Sequence, residues 1–359
     1  MSDQASKQPL RMRKIIKDEI IKLLGKIPLA TNLARKKFIS SFLLGLIDSK
    51  RVQFQEIAIH IESDAKLDSV ERNIQSFFKD YEFDYQQVCL VLLLFLPKGE
   101  LTLSIDRTEW DFGIYQCNIL MIVAQHGSVG IPLYWELLEN KSGNSNCQNR
   151  QDLLLKLIKV IGVKRIKVII GDREFIGQKW IKYLKDNNIS YCIRVPKSHL
   201  ITLKNGNTFS IEELLQQQAE RYFHDCMVDS VWCNTMIKRL PSGDYLFLIS
   251  DLSAKKLGAI YRKRWCIEVL FQTFKERGFD LESTHLKCPK KLSKLLVFVS
   301  IAVALCVKFG EYYHQKVQKI KTKPHGYKAN SFFRKGLNII RRGFKNPTKV
   351  FVQLWNKCF

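Results

Sequence analysis

Apolar and polar positions in the first hundred residues recur at helical spacing. The pattern predicts helices over residues 10–50, interrupted at Pro28, and a buried helix in VCLVLLLFL, residues 88–96. Between them, FQEIAIHI and SVERNIQSFFKDY predict two further helices in residues 52–80. Two helices with a short polar link are typical of a helix-turn-helix DNA reader and equally of an ordinary helical hairpin, and the pattern leaves both open.

From about residue 100 the period becomes that of strands. LTLSIDRTEW alternates up to Asp106, and CNILMIVAQHG and GIPLYWELL predict two more strands joined by a Gly-rich turn. A helix (DLLLKLIKVIG), a strand (IKVIIGD), a helix (GQKWIKYLKDNN) and a strand (SYCIRVP) follow. Three meandering strands and then a β-α-β-α-β order predict an α/β fold. Its mixed sheet would be ribonuclease H-like and flanked by helices.

The remaining segments complete a predicted domain organisation. Residues 1–97 would form a helical region suited to binding DNA, and residues 98–196 with 251–307 would form the ribonuclease H-like domain and carry any catalytic site. Short alternating pieces in residues 197–250 predict a β-rich insertion, and residues 308–359 form a basic helical tail. The longest apolar run, residues 295–307, is too short for a bilayer span and predicts a buried helix.

The charge is strongly lopsided. The 359 residues include 58 Lys and Arg against 34 Asp and Glu, a formal net charge of +24. Such a chain usually meets a polyanion, with an anionic membrane surface as the alternative. The excess lies at both ends: residues 308–359 carry 13 basic and one acidic residue, and residues 1–50 carry 11 and four. This distribution favours two clamps on nucleic acid around a working domain.

Cysteine usage and the N-terminus bear on the compartment. None of the ten cysteines forms a CxxC pair, so zinc spacing is absent, and a chain of this length does not need disulfide staples. The first 20 residues are polar and charged, unlike a signal peptide. We therefore expect reduced, mostly buried thiols in a cytoplasmic protein.

The stretch YRKRWCIEVLFQTFK, residues 261–275, predicts one helix with two different faces. Tyr261, Arg264, Glu268 and Lys275 fall within about 60° of one another, at about 100° per residue. The opposite side carries apolar residues expected to face the core: Cys266, Ile267, Leu270, Phe271 and Phe274. A solvated face with one intrahelical ion pair is the ordinary alternative.

Two aspartates end predicted strands. Asp106 ends LTLSI and Asp172 ends KVIIG, and the first and fourth strands of a ribonuclease H-like sheet are neighbours. Two adjacent carboxylates repel each other, which raises a pKa or favours a divalent metal ion. Glu268, on a helix packed against the sheet, adds a third carboxylate. Three carboxylates around Mg²⁺ ions suit two-metal phosphoryl transfer.

These residues together resemble DDE transposases from a large group of bacterial insertion sequences. The group has a Tyr-x-x-Arg-x-x-x-Glu-x-x-x-x-x-x-Lys signature, which residues 261–275 match. SIDRTEW and DREF resemble the motifs around its two aspartates. The likeness covers about residues 100–300, including a β-rich insertion and the stretch LESTHLKCPKKLSKLL.

The resemblance implies roles for named residues. Asp106, Asp172 and Glu268 would be both the catalytic residues and the ligands of two Mg²⁺ ions, with Mn²⁺ as a substitute. DNA phosphates would be bound by Tyr261, Arg264 and Lys275, and by Arg173 unless it is an ordinary surface charge. In related enzymes a Trp of the insertion stacks on a flipped base. Trp232 is the candidate for that role here, with a core position as the alternative, and Trp265 is expected to pack on the sheet.

The activity implied is cut-and-paste DNA transposition. Metal-dependent cleavage at transposon ends would be followed by strand transfer into target DNA. The partners would be terminal inverted repeats, target DNA and a second copy of the chain in a synaptic complex, with no membrane, in a bacterial nucleoid. Two alternatives remain: a catalytically inactive, transposase-derived DNA-binding protein, and another ribonuclease H-like nuclease such as a resolvase.

Overall fold

The computed structural model describes residues 2–112, 115–140, 142–275, 277–324, 326, 328–346 and 348–359. The helices in these ranges are α1 (Ser2–Gly25), α2 (Leu33–Ser49), α3 (Phe54–Ile59), α4 (Leu67–Asp80), α5 (Tyr85–Leu93), α6 (Cys147–Ile161), α7 (Gln178–Asp186), α8 (Ile211–Leu215), α9 (Leu257–Tyr261), α10 (Trp265–Phe274), α11 (Pro289–Lys316), α12 (Phe332–Lys345) and α13 (Lys349–Cys358). The strands are β1 (Leu101–Phe112), β2 (Tyr115–His126), β3 (Val129–Leu137), β4 (Ile166–Gly171), β5 (Tyr191–Arg194), β6 (Ile201–Thr202), β7 (Thr208–Phe209), β8 (Glu220–Val228), β9 (Val231–Arg239) and β10 (Tyr245–Ser250).

All ten strands of the described residues form one sheet, in the order β3-β2-β1-β4-β5-β10-β9-β8-β6-β7. β1, β2 and β3 form an antiparallel meander, and β4 runs parallel to both β1 and β5. α6 and α7 make the two crossovers that parallel strands require. This arrangement is a ribonuclease H-like sheet with flanking helices, so the predicted fold class is confirmed.

Strand β1 is longer than its alternation predicted. Its parallel ladder with β4 ends at the pair Ser104 and Ile170, but its antiparallel ladder with β2 continues to Phe112. The prediction that Asp106 ends a strand is therefore wrong, because β2 supplies hydrogen-bonding partners along the whole of β1. The neighbour that stops near Asp106 is β4, and Asp172 does follow directly after it.

The strands between residues 197 and 250 continue the same sheet. β10 pairs antiparallel with β5, and β9 and β8 follow outward. The short pieces predicted to be β-rich are thus strands, apart from the short helix α8 between β7 and β8. The division of the chain into domains stays a prediction, as does the choice of a helix-turn-helix for α3 and α4.

The N-terminal helices share a core with α11. Phe298 of α11 lies with its ring centroid 4.2 Å from Phe42 of α2 and 5.6 Å from Phe78 of α4. By length and composition α11 is long and apolar enough to cross a membrane. However, 89% of its most apolar 18-residue stretch is buried inside the protein. The predicted buried helix is therefore confirmed as a core helix that the surrounding helices cover.

Helix α12 crosses α11 at very short distance. A Cβ added at Gly336 would lie 1.8 Å from the carbonyl oxygen of Cys306, and one added at Gly310 would lie 1.9 Å from that of Phe332. Only glycine leaves room for two backbones at this separation. The basic C-terminal region is thereby fixed against the helix that carries the core.

Candidate active site

The segment that carries the predicted signature is not one continuous α-helix. Tyr261 ends α9, residues 262–264 form a 3-10 turn, and α10 begins at Trp265. The prediction of a single helix is wrong at this turn, where tighter winding replaces the α-helical hydrogen bonds. The apolar face is confirmed, because all five of its residues are buried: Cys266, Ile267, Leu270, Phe271 and Phe274.

Arg264 lies at the centre of the predicted carboxylates. Its Nη1 donates to Asp106 Oδ2 at 2.7 Å, and its Nη2 donates to Glu268 Oε1 at 2.9 Å. The same Nη2 lies 3.8 Å from Asp172 Oδ2. The structure thus brings all three acids to one guanidinium, although they come from β1, from the end of β4 and from α10.

Tyr261 and the backbone complete this cluster. The Tyr261 hydroxyl donates to Asp172 Oδ1 at 3.2 Å, and the guanidinium of Arg264 lies 5.7 Å from the centre of the Tyr261 ring. The backbone N–H of Arg173 also donates to Asp172 Oδ1, at 2.7 Å. Asp172 is therefore held by two donors besides the charge of Arg264, and Tyr261 is placed where the sequence predicted.

Burial has an electrostatic effect on Asp106. Loss of water raises the pKa of Asp106 to about 6, although Arg264 and the backbone N–H of Arg107 oppose the rise. Glu268 and Asp172 add to it by repulsion. Burial likewise raises the pKa of Tyr261 to about 12, so its phenol keeps its proton and remains a hydrogen-bond donor.

The donor set fits a hard divalent cation. Three carboxylates supply only oxygen ligands, which Mg²⁺ and Mn²⁺ prefer, and a single guanidinium leaves their negative charge in excess. Within the described residues, no three His, Cys, Asp or Glu side chains are already arranged to hold a metal ion. The three carboxylates supply the ligand atoms that such an ion requires. In this structure the positive charge among them is that of Arg264.

Two predicted phosphate-binding residues lie outside the cluster. Lys275 Nζ contacts Glu282 at 3.0 Å and the backbone oxygen of Glu109 at 3.3 Å. Arg173 Nη2 binds Asp244 at 2.9 Å, although its backbone touches Asp172. Neither side chain joins the acids around Arg264.

Two tryptophans near these elements are exposed. Trp232 on β9 is 51% exposed, and Trp265 at the start of α10 is 61% exposed. The core alternative for Trp232 and the expected packing of Trp265 on the sheet are both wrong, because each side chain lies on an outward face of its element.

Sequence reasoning missed two charged residues beside the aspartates. Arg107 follows Asp106, Glu174 stands two residues after Asp172, and Arg107 Nε lies 3.1 Å from Glu174 Oε2. Both side chains are largely buried, with 15% and 13% exposed. Their position inside SIDRTEW and DREF was the available signal, since a charge next to a buried strand requires a partner.

The fold and the site define a class: a ribonuclease H-like protein with three carboxylates gathered where β4 ends beside β1. Residues 98–305, more than half of the chain, match the family model described as "Transposase DDE domain". The chain therefore belongs to the DDE transposase family, whose members generally use divalent metal ions. Transposases are, in general, DNA-cleaving enzymes.

Two further comparisons concern individual proteins. No curated protein matches the chain. Among solved structures, the chain is similar to the piggyBac transposase in its cryo-EM synaptic complex with hairpin DNA. The two are 12% identical with a TM-score of 0.42, over 96% of this chain and 84% of that chain.

Proposed function

We propose that this protein catalyses metal-dependent DNA cleavage at transposon ends and strand transfer into target DNA, as a cut-and-paste transposase of an insertion sequence. The observation that supports this most strongly is the convergence of Asp106, Asp172 and Glu268 on the guanidinium of Arg264. The order of the three acids along the chain, the position of Asp172 directly after β4 and the family agree with it. Within the DDE transposase family, we assign the protein to the bacterial insertion-sequence group that has the Tyr-Arg-Glu-Lys signature.

Each site residue then has a role. The three carboxylates would hold two Mg²⁺ ions, which when bound activate an attacking oxygen and stabilise a leaving one. Arg264 offers a planar fork of donors, suited to a phosphate, and Tyr261 adds a neutral donor. These groups would orient the scissile phosphate, and correct orientation is itself a large part of catalysis.

The proposed partners are terminal inverted repeats, target DNA and a second copy of the chain at the other transposon end. The net charge of +24 supports a polyanionic partner. The proposed location is a bacterial cytoplasm, at the nucleoid.

Cleavage of a labelled duplex carrying the DNA that flanks the gene tests the proposal. We expect Mg²⁺- or Mn²⁺-dependent cuts at a defined end by the wild type. The Glu268→Gln variant is expected to bind DNA normally and to lose at least about 10³-fold in cleavage rate, about 4 kcal/mol of the barrier. The matched control is Glu136→Gln on β3, whose side chain pairs with Lys156.

Three results would decide between this function and the alternatives. DNA binding without cleavage by the wild type, with either metal, would favour an inactive DNA-binding protein. Cutting of branched DNA in preference to transposon ends would favour a resolvase. Full cleavage by Glu268→Gln would remove Glu268 from the site.

A further inference from the structure

Asp106 and Asp172 both lie beyond the part of β1 and β4 that is paired. The last paired residues of β1 and β4 are Ser104 and Ile170, and each aspartate stands two residues beyond that pair. No ladder hydrogen bond between β1 and β4 therefore fixes the distance from Asp106 to Asp172. Some other contact has to set it, because metal ligands must be placed within a few tenths of an ångström.

An ion pair crosses this gap on the other face of the sheet. Successive side chains of a strand point to opposite faces, so Arg107 points away from the side on which Asp106 meets Arg264. There Arg107 Nε donates to Glu174 Oε2 at 3.1 Å. Arg107 also binds the side chains of Asn118 and Glu109, which fixes its direction.

Glu174 is held equally firmly from its own side. Its Oε1 accepts the backbone N–H of Ser145 at 2.8 Å and the Ser145 hydroxyl at 2.6 Å. Arg150, itself buried, donates to the Ser145 hydroxyl at 2.9 Å and lies 4.9 Å from the ring centre of Phe175. The turn after β4 is thereby tied to β1 and to the start of α6 at once.

We propose that Arg107 and Glu174 are positioning residues that hold Asp106 and Asp172 at the separation needed to share metal ions. The inference rests on the proposed function for its metal. The pair contacts neither the carboxylates nor Arg264 through its side chains, and acts through the chain segments that carry the aspartates. A largely buried ion pair adds little net stability, but its hydrogen-bond geometry fixes one arrangement of two segments.

Binding of Mn²⁺ to the full-length protein without DNA provides the test. Glu174→Gln keeps the length and the acceptor for Ser145 and removes the charge. We expect its Mn²⁺ affinity, measured by calorimetry, to fall about 10- to 100-fold, as when partners of metal ligands are removed. Arg107→Gln should do the same, and the double variant should be no worse than either single variant.

A more exposed ion pair elsewhere in the sheet serves as the control. Glu220 and Lys238 join β8 to β9 at 2.9 Å, and Glu220→Gln should leave Mn²⁺ affinity unchanged. Thermal unfolding is measured on every variant. If Glu174→Gln does not fold, Ser145→Ala removes one hydrogen bond from Glu174, and a fall of several-fold in Mn²⁺ affinity is expected from it.

The outcomes separate this inference from the proposed function. Lower unfolding temperature with unchanged Mn²⁺ affinity, or additive losses in the double variant, would overturn the positioning role. Absence of Mn²⁺ binding in the wild type would overturn it as well. Wild-type protein that binds Mn²⁺ but cuts no DNA would overturn only the proposed function, because the Mn²⁺ titration does not depend on cleavage.

Discussion

Two clusters of charged side chains meet at the DREF turn. Acids outnumber bases in one cluster, and bases outnumber acids in the other. Around Arg264, one buried base serves three acids, so one positive charge against three negative charges leaves −2 when all are ionised. Around Asp244, one half-exposed acid binds Arg173 at 2.9 Å and Arg194 at 3.0 Å, which leaves +1. The first cluster attracts a cation and the second attracts an anion.

The difference shows that neighbouring residues can suit ligands of opposite charge. Asp172 belongs to the first cluster and Arg173, the next residue, belongs to the second. A phosphodiester with a divalent metal ion needs both kinds of site side by side. Four substitutions test this contrast, in order of decreasing expected effect.

Removal of the only base from the acidic cluster should have the largest effect. In Arg264→Gln the three acids lose the single cation that the described contacts give them. We expect the metal-free protein to lose about 3–5 kcal/mol of unfolding free energy, as when one partner of a buried pair is removed. Denaturant unfolding at pH 8 measures this loss.

Divalent metal ions should reverse that loss. Mg²⁺ replaces the missing charge, so it should stabilise Arg264→Gln more than it stabilises the wild type. The control is Arg262→Gln, an exposed position in the same turn. If Mg²⁺ stabilised Arg264→Gln and the wild type equally, Arg264 and the metal ion would not compete for the carboxylates.

Removal of one acid should have a smaller effect of opposite sign. Burial raises the pKa of Asp106 to about 6 from an ordinary value of 3.8, so its ionised form is disfavoured in the folded protein. This penalty is fully present above pH 6 and disappears below pH 4. Asp106→Asn leaves Arg264 paired with Glu268 and should stabilise the metal-free protein at pH 8 by about 3 kcal/mol.

The pH dependence provides the check. The stability advantage of Asp106→Asn should shrink as the pH falls from 6 to 4, and it should vanish below that range. Unfolding curves at pH 8, 6 and 4 without metal measure it, with Asp225→Asn at an exposed position as the control. A variant less stable than the wild type at pH 8 would show that the Arg264 ion pair outweighs the burial of Asp106.

Local pattern predicted the elements better than it predicted their partners. The β-branched run IKVIIG placed Asp172 at a strand end, since such a run is a property of a few neighbouring residues. The length of β1 escaped prediction because β2, a separate segment, supplies the pairing beyond Asp106. Helical spacing gave Tyr261 and Glu268 a common side, but it did not predict that Lys275 contacts Glu109 and Glu282 instead of the three acids.

The ion pairs outside the three carboxylates of the proposed site could not be predicted from one sequence. Arg173 and Asp244 are 71 residues apart and lie on segments whose contact depends on β10 joining β5. Arg107 and Glu174 are 67 residues apart and meet only once β4 lies beside β1. One sequence shows which charges exist, whereas the topology of the sheet decides which of them neutralise each other.

The smallest expected effect concerns the cationic cluster. Asp244→Asn releases two guanidinium groups, so DNA affinity at low salt should rise a few-fold and the salt dependence should steepen.

Arg173→Gln should weaken binding similarly for all sequences and reduce the slope of log affinity against log salt by about 1, the loss of one phosphate contact. Titration of a random-sequence duplex from low to moderate salt measures both slopes. Lys156→Gln, whose side chain pairs with Glu136 on β3, is the control for a lost charge. An unchanged slope in Arg173→Gln would remove Arg173 from the path of DNA and leave Asp244 as its structural partner, in which case the two clusters would differ in charge without differing in ligand.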